Sequence, residues 1–197
     1  MLLNTSMNTC RQVNGPSIIY ANIALFSSKT GEQAVEKEGN PESIGFCLIV
    51  TSDHVYRGLR KDKITPMLRE ILRHHGYRLK ENKVVPNSPE LIAEAVLSYA
   101  SRCDIIVVTG GTGPSRRDVS LDTVKVIAEK EMVGFGELFR YLTYIEEGTK
   151  TWLSRASAFI VRGRLVIVVP GSPTASRLAL EKIILPEMNH IVKELGK

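Results

Sequence analysis

A chain of 197 residues with 43% hydrophobic and 24% charged residues, 15 Gly and 9 Pro has the composition of one ordinary globular domain. That excludes collagen-like, wholly disordered and disulfide-framework proteins, and no apolar run approaches the ~18–20 residues of a membrane span. The net charge is +5, but the basic residues are scattered, as in Arg57, Arg60, Lys61 and Lys63, with no aromatic-interleaved stripe marking a nucleic-acid face.

Residues 1–42 stand apart from the rest. Ser17 to Phe26 is apolar but short and broken by Asn22, and it is not expected to be a secretory signal, since only Arg11 charges the segment before it and no compelling small-residue cleavage site follows. Ser27 to Glu42 is polar, holds Gly and Pro, and cannot bury enough surface to offset chain entropy, so 1–42 is expected to be a flexible extension. Residues 43–197 are expected to form a single α/β domain in the cytoplasm, with no membrane partner.

From Ser43 short apolar runs alternate with helical periods. Ile44 to Val50 reads as a buried strand. Ile64, Met67, Leu68, Ile71 and Leu72 then fall on one face of a helix that Gly76 ends. Tyr77 to Val85 is a strand, and Ser88 caps a helix with Pro89 in its first position and Leu91, Ile92, Ala95, Val96 and Tyr99 on the buried face. Asp104 to Thr109 is β-branched and continuous, as a central parallel strand should be. A glycine-rich loop leads to a helix over about 120–129, and a less regular stretch from Met132 to Trp152 holds a short helix near Glu137–Tyr144. Ala156–Val161 and Leu165–Val169 form a hairpin across Arg162-Gly163-Arg164. A helix over 174–184 and a last short one after Pro186 complete the chain. The alternation predicts a three-layer αβα fold: a mostly parallel sheet with helices on both faces.

Cys10, Cys47 and Cys103 are widely spaced and pair with no histidine at zinc-ligand intervals. Cys47 and Cys103 read as small buried thiols of a reducing compartment.

Ligands of open α/β sheets sit beyond the carboxyl ends of the strands. Three strands end in unusual sequence there: Thr51-Ser-Asp53, Thr109-Gly-Gly-Thr-Gly-Pro114 and Pro170-Gly-Ser-Pro173. The middle loop can turn backbone N–H groups toward one point, a nest for phosphate or carboxylate oxygens. It is neither a dinucleotide fingerprint nor a P-loop. Ser115-Arg-Arg-Asp118 adds two cations and a carboxylate, able to bracket phosphate and hold Mg²⁺. A tight structural turn explains the same glycines, and a helix-start charge the same aspartate. Two such loops on one rim favour a site.

Thr109-Gly-Gly-Thr-Gly113, Arg117-Asp-Val119, Gly134-Phe-Gly-Glu137, Leu153-Ser-Arg155 and Pro170-Gly-Ser-Pro173, with Thr51-Ser-Asp53 and Asp62, together resemble molybdenum-cofactor biosynthesis proteins of the MoaB/Mog type. The resemblance runs from about Ser43 to Glu194. It implies a molybdopterin-binding fold, a homotrimer or a hexamer of two trimers, that transfers AMP from Mg-ATP to the terminal phosphate of molybdopterin and releases pyrophosphate. No permanently bound cofactor is expected, since ATP and molybdopterin are substrates. The resemblance assigns Asp118 and the position of Asn87 to catalysis. Substrate binding falls to Thr109, Gly110, Gly111, Thr112, Gly113, Ser115, Arg117, Glu137, Pro170, Gly171, Ser172 and Pro173. Ser52 and Asp53 take nucleotide, and Asp53 and Asp118 take Mg²⁺. Active members commonly carry aspartate where this chain has Asn87, which removes a charge from the metal position. The alternative is a non-catalytic molybdopterin-binding or scaffold protein of the same fold.

Two further expectations follow. Phe135, Leu138, Phe139, Tyr141, Leu142, Tyr144 and Trp152 crowd one stretch and are expected at the trimer interface. Gly111→Val is expected to occlude the nest and abolish binding while the fold stays intact.

Overall fold

The computed structural model describes residues 44–196, so the extension expected over 1–42 lies outside the described residues. β1 (Gly45–Thr51) is buried along its whole length, as is β3 (Ile105–Thr109). Continuous burial of this kind is what strands covered on both faces show. They form the centre of a six-stranded sheet in the order β2-β1-β3-β6-β5-β4. β2 (Arg78–Val85), β1, β3 and β6 (Arg164–Val169) run parallel. β5 (Ser157–Val161) returns antiparallel to β6. The turn between them has φ 51° at Arg162 and 69° at Gly163, the two positive values that the tightest hairpins need.

β4 (Lys130–Met132), the antiparallel edge strand, was not expected. The helix foreseen over 120–129 stops earlier, as α4 (Ser120–Ile127), and Ala128 is already extended. Three exposed residues carry no period-2 signal. The edge is instead pinned by Glu131, which accepts from Ser157 Oγ at 3.0 Å and pairs with Lys125 at 2.9 Å.

Side chains alternate cleanly across the central strands. Phe46, Leu48 and Val50 face one layer, made of α2 (Ile64–His74), α5 (Val133–Glu147) and α6 (Pro173–Leu178) with its π-helical continuation Ala179–Ile184 and α7 (Met188–Leu195). Cys47 and Ile49 face the other, made of α3 (Pro89–Ala100) and α4. That is the three-layer arrangement the alternation predicts.

α5 is longer than its expected core because Gly134 and Gly136 hide its first turn from propensity reasoning. Gly136 is there for packing: a Cβ would lie 2.4 Å from the Ala156 carbonyl oxygen.

Cys47 and Cys103 are joined in a disulfide, with Cα atoms 5.9 Å apart. The expectation of two free thiols is therefore corrected. Their approach follows from the parallel β1–β3 register, which sets Cys47 beside Ile106 and brings the segment before β3 against it.

The register has one functional consequence. Thr51 pairs with Val85, Val50 with Thr109, and Thr109 with Val169. Four parallel strands therefore end level, and the loops after them stand side by side.

Candidate functional site

Buried hydroxyls tie three of these strand ends, those of β1, β3 and β6, into one platform. Thr51 Oγ1 donates to the Thr109 carbonyl at 3.0 Å and receives Ser120 Oγ at 3.1 Å. Thr109 Oγ1 donates to the Pro170 carbonyl at 3.1 Å and lies 3.3 Å from Ser176 Oγ. All four residues are at most 3% exposed. Buried polar groups satisfied in this way fix the geometry of what rests on them. Thr51 and Thr109 stood out in the sequence as strand ends; the lone hydroxyls of Ser120 and Ser176 at helix starts give no separate signal.

The glycine loop rests on that platform. Gly110 and Gly111 have φ of 103° and 63°, a turn that residues with a Cβ rarely make. Gly110 N–H is committed to the Val169 carbonyl at 2.9 Å. Gly111, Thr112 and Gly113 line the cavities beside it. Gly111 also accepts, through its carbonyl, the Ser120 N–H at 3.0 Å.

Gly111 and the Pro170-Gly-Ser172 loop divide two cavities. One, of about 450 Å³, runs beneath Thr51 and Ser52 to Arg60, Lys61, Asp62 and Lys63. The other, of about 340 Å³, lies between Gly113 and Asp118 on one wall and Thr143, Lys150, Leu153 and Ser154 on the other. A third, of about 360 Å³, holds Asp53, His54, Arg57, Asn87 and Arg117. An apolar cavity lies elsewhere, between β4, β5 and α7, and contains none of these groups.

In the third cavity Asp53 accepts from Asn87 N–H at 3.0 Å and from Asn87 Nδ2 at 3.4 Å. The Asn87 backbone donor holds the Asp53 carboxyl below its ordinary range, with help from the Asn87 amide and the Arg57 and Arg117 charges and against the pull of partial burial. A depressed carboxyl stabilises the fold above the ordinary aspartate pKa, and that contribution is lost as pH falls through its own lower value. We expect a carbon-detected titration of Asp53 to move upward only partly in Asn87→Ala, since the backbone donor remains. A return all the way to an unperturbed aspartate would overturn that ranking of causes.

The structure sorts the residues expected from sequence. Thr109 to Gly113, Pro170 to Ser172, Ser52, Asp53, Asn87, Arg117 and Asp118 all reach one of the three cavities, and Pro173 reaches the first. Ser52 also caps α1 (Asp53–Tyr56), its Oγ accepting from Val55 N–H. Ser115 works within the loop: its N–H donates to Asp118 Oδ2 at 3.0 Å and its Oγ accepts from Arg117 N–H. Glu137 stands exposed on α5 and lines none of the three cavities.

Asp53 and Asp118, both expected to take Mg²⁺, open into different cavities. Asp118 folds back beneath Gly113 to hold Ser115 and opens into the second cavity, whereas Asp53 faces the third. Among the described residues no group of three or more His, Cys, Asp or Glu is placed to hold a metal. An ion carried by phosphates asks less of a protein: Mg²⁺ is commonly bound through one or two carboxylates plus substrate oxygens. Asp53 supplies one carboxylate, and beside it Asn87 Oδ1 is buried without a partner. These residues fit a substrate-borne Mg²⁺.

Sequence reasoning passed over Ser120 and Ser176, and it read Arg57, Arg60, Lys61 and Lys63 as scattered charge. Asp62 does open the first long helix, as foreseen, taking the N–H groups of Ile64 and Thr65 at 2.8 and 3.0 Å.

Known proteins of similar sequence and fold identify the family. Residues 47–190 match the family described as a probable molybdopterin binding domain. The chain is 40% identical over 154 residues to molybdenum cofactor biosynthesis protein B of Bacillus cereus, covering 77% of this chain and 90% of that one. It superposes on the tungsten cofactor synthesizing protein MoaB from Pyrococcus furiosus with a TM-score of 0.72 at 36% identity, covering 78% and 98% of the two chains. A crystal structure of a molybdenum cofactor biosynthesis protein B matches with a TM-score of 0.74 at 35% identity, over 81% and 99%. Fold and sequence converge, and the chain belongs to the molybdopterin-binding domain family of molybdenum cofactor biosynthesis proteins.

Proposed function

We propose that this protein adenylylates molybdopterin at the expense of Mg-ATP and releases pyrophosphate. The supporting observation is the pair of cavities, about 450 and 340 Å³, that meet at Gly111 and Pro170–Ser172. Two substrates lodged on either side of one backbone ridge bring their phosphates together there.

The chemistry suits the residues present. A molybdopterin phosphate oxygen, already ionised at neutral pH, attacks the α-phosphorus of ATP. One P–O bond forms, the α–β bridging P–O bond breaks, and pyrophosphate departs with that electron pair. No strong base is required. Catalysis then rests on alignment and on neutralising charge. The amides of Gly111–Gly113 and the side chains of Arg57, Arg60, Lys61, Lys63 and Arg117 provide it. Mg²⁺ arriving with ATP would be held by Asp53 beside Asn87 and would offset phosphate charge.

A second reading, a non-catalytic molybdopterin-binding protein, is favoured by the closed Asp53–Asn87 contact at 3.0 Å. Pyrophosphate release from Mg-ATP with molybdopterin present, run beside calorimetric binding of each substrate, separates the two. Release that depends on molybdopterin is the expected result; binding without release selects the second reading.

We further propose assembly into trimers through the outer face of α5 and the 3-10 helix Gly148–Leu153. Tyr141, Tyr144, Ile145 and Trp152 are 58, 54, 54 and 76% exposed there. Phe135 and Phe139, expected on that surface, are instead buried in the core, because the helical period turns them inward. Sedimentation of a monomer at micromolar concentration would count against assembly. No helix among the described residues is long and apolar enough to cross a membrane.

A further inference from the structure

We propose that Arg155 is a positioning residue that sets the loop 112–118 between the cavities. The inference rests on the reading of those cavities as the substrate site.

Arg155 follows Leu153 and Ser154, which line one wall of the second cavity, while Gly113 and Asp118 line the opposite wall. Its guanidinium joins the two. Nη1 and Nη2 reach the two carboxylate oxygens of Asp122 at 3.0 and 2.9 Å, and Nη2 also reaches the Asp118 carbonyl at 2.9 Å. Its backbone N–H points at the Thr112 carbonyl, 3.4 Å away. Both ends of the loop, Thr112 and Asp118, are thereby tied to one residue outside it. Within the bracket the loop closes on itself through Asp118 N–H to the Ser115 carbonyl at 2.9 Å and Ser115 N–H to Asp118 Oδ2 at 3.0 Å. Arg117, next to the anchored Asp118, lies in the cavity of Asp53 and Asn87. Arg155 thus fixes a segment that faces two cavities at once.

Stability alone does not account for this side chain. The Arg155–Asp122 pair is 37% and 60% exposed, and exposed pairs add little to a fold. Arg155 Nε, in contrast, is buried without a partner, an arrangement that costs stability. A planar fork engages one carboxylate and one carbonyl together; an ammonium, acting as a point charge, does not reproduce it. The geometry, not the charge, is what the residue contributes.

The test compares Arg155→Lys, Arg155→Ala and Asp122→Asn with the parent, all without ligand, by hydrogen exchange of the loop amides. It then measures Mg-ATP affinity by calorimetry. We expect Arg155→Lys to raise exchange at 115–118 by about tenfold or more, as loss of an ordering contact does, while β1 and β3 amides and Tm change little. Mg-ATP should bind several-fold more weakly, Arg155→Ala should match or exceed Arg155→Lys, and Asp122→Asn should fall between. Unchanged loop exchange overturns the proposal, and so does exchange rising equally throughout the sheet, which would make Arg155 a general stabiliser. A loosened loop with unaltered Mg-ATP affinity also overturns it. A parent that binds neither Mg-ATP nor molybdopterin sinks the functional reading, and with it the positioning role, even where the exchange arm shows the bracket itself.

Discussion

Gly110→Ala is expected to lower stability by about 3 kcal/mol or more, the sum of backbone strain and overpacking. An added Cβ would lie 2.3 Å from the Thr51 carbonyl oxygen and 2.8 Å from Thr51 Oγ1, at a φ of 103°. That oxygen belongs to a central strand and cannot yield without disturbing β1. Gly111→Val differs from its expectation for the same reason. Its Cβ would sit 2.4 Å from Ser120 Oγ and 3.0 Å from Asn87 Oδ1. It points into the hydroxyl platform, so the substitution should damage both fold and binding. Gly171→Ala is the gentler probe, meeting Gly110 Cα at 3.1 Å and Gly110 N at 3.6 Å. Urea midpoints should rank Gly110→Ala below Gly111→Val, and both well below Gly171→Ala. A Gly110→Ala protein as stable as its parent would show that the loop can turn differently.

How far these contacts were legible depends on their range. Buried runs such as Ile105–Thr109 announce parallel strands because both faces are covered, and the Arg162-Gly163 turn announces a hairpin through its own backbone needs. The glycine loop was legible as a site because local sequence places it after such a strand. The Ser120–Thr51 hydrogen bond spans 69 residues, and nothing local to either hydroxyl reveals the other. The Cys47–Cys103 pairing, 56 residues apart, depends equally on sheet register. β4 escaped because three exposed residues have no periodicity to read. Asp53 and Asp118 looked alike as strand-end carboxylates, and only the fold-back of Asp118 onto Ser115 sends them into different cavities.

That separation gives the two carboxylate positions distinct tests. In Asp118→Asn the amide oxygen can still accept the Ser115 N–H, so the loop persists and the charge alone is lost. If that charge acts on the reacting phosphates, turnover should fall by roughly 10²-fold or more with molybdopterin affinity little changed, because the interaction is made chiefly in the transition state. The competing view is a helix-start charge worth about 0.3–1 kcal/mol. Geometry already weakens it: α4 has no side-chain cap, and Asp118 turns toward Ser115. Pyrophosphate release unchanged in Asp118→Asn would remove the catalytic role. Asn87→Asp works in the opposite sense. It replaces the amide that donates to Asp53 at 3.4 Å with a second carboxylate, and two such groups repel unless a cation lies between them. The variant should therefore be less stable than the parent without divalent ions and recover in Mg²⁺ or Mn²⁺. Its Mn²⁺ affinity should rise by about tenfold or more, in line with ligand charge setting divalent affinity. Faster adenylylation alongside that gain identifies a weakened enzyme. Tighter Mn²⁺ binding with no release from parent or variant identifies a chain whose site binds molybdopterin without reacting it, since the charge lost at Asn87 would then have been restored without effect.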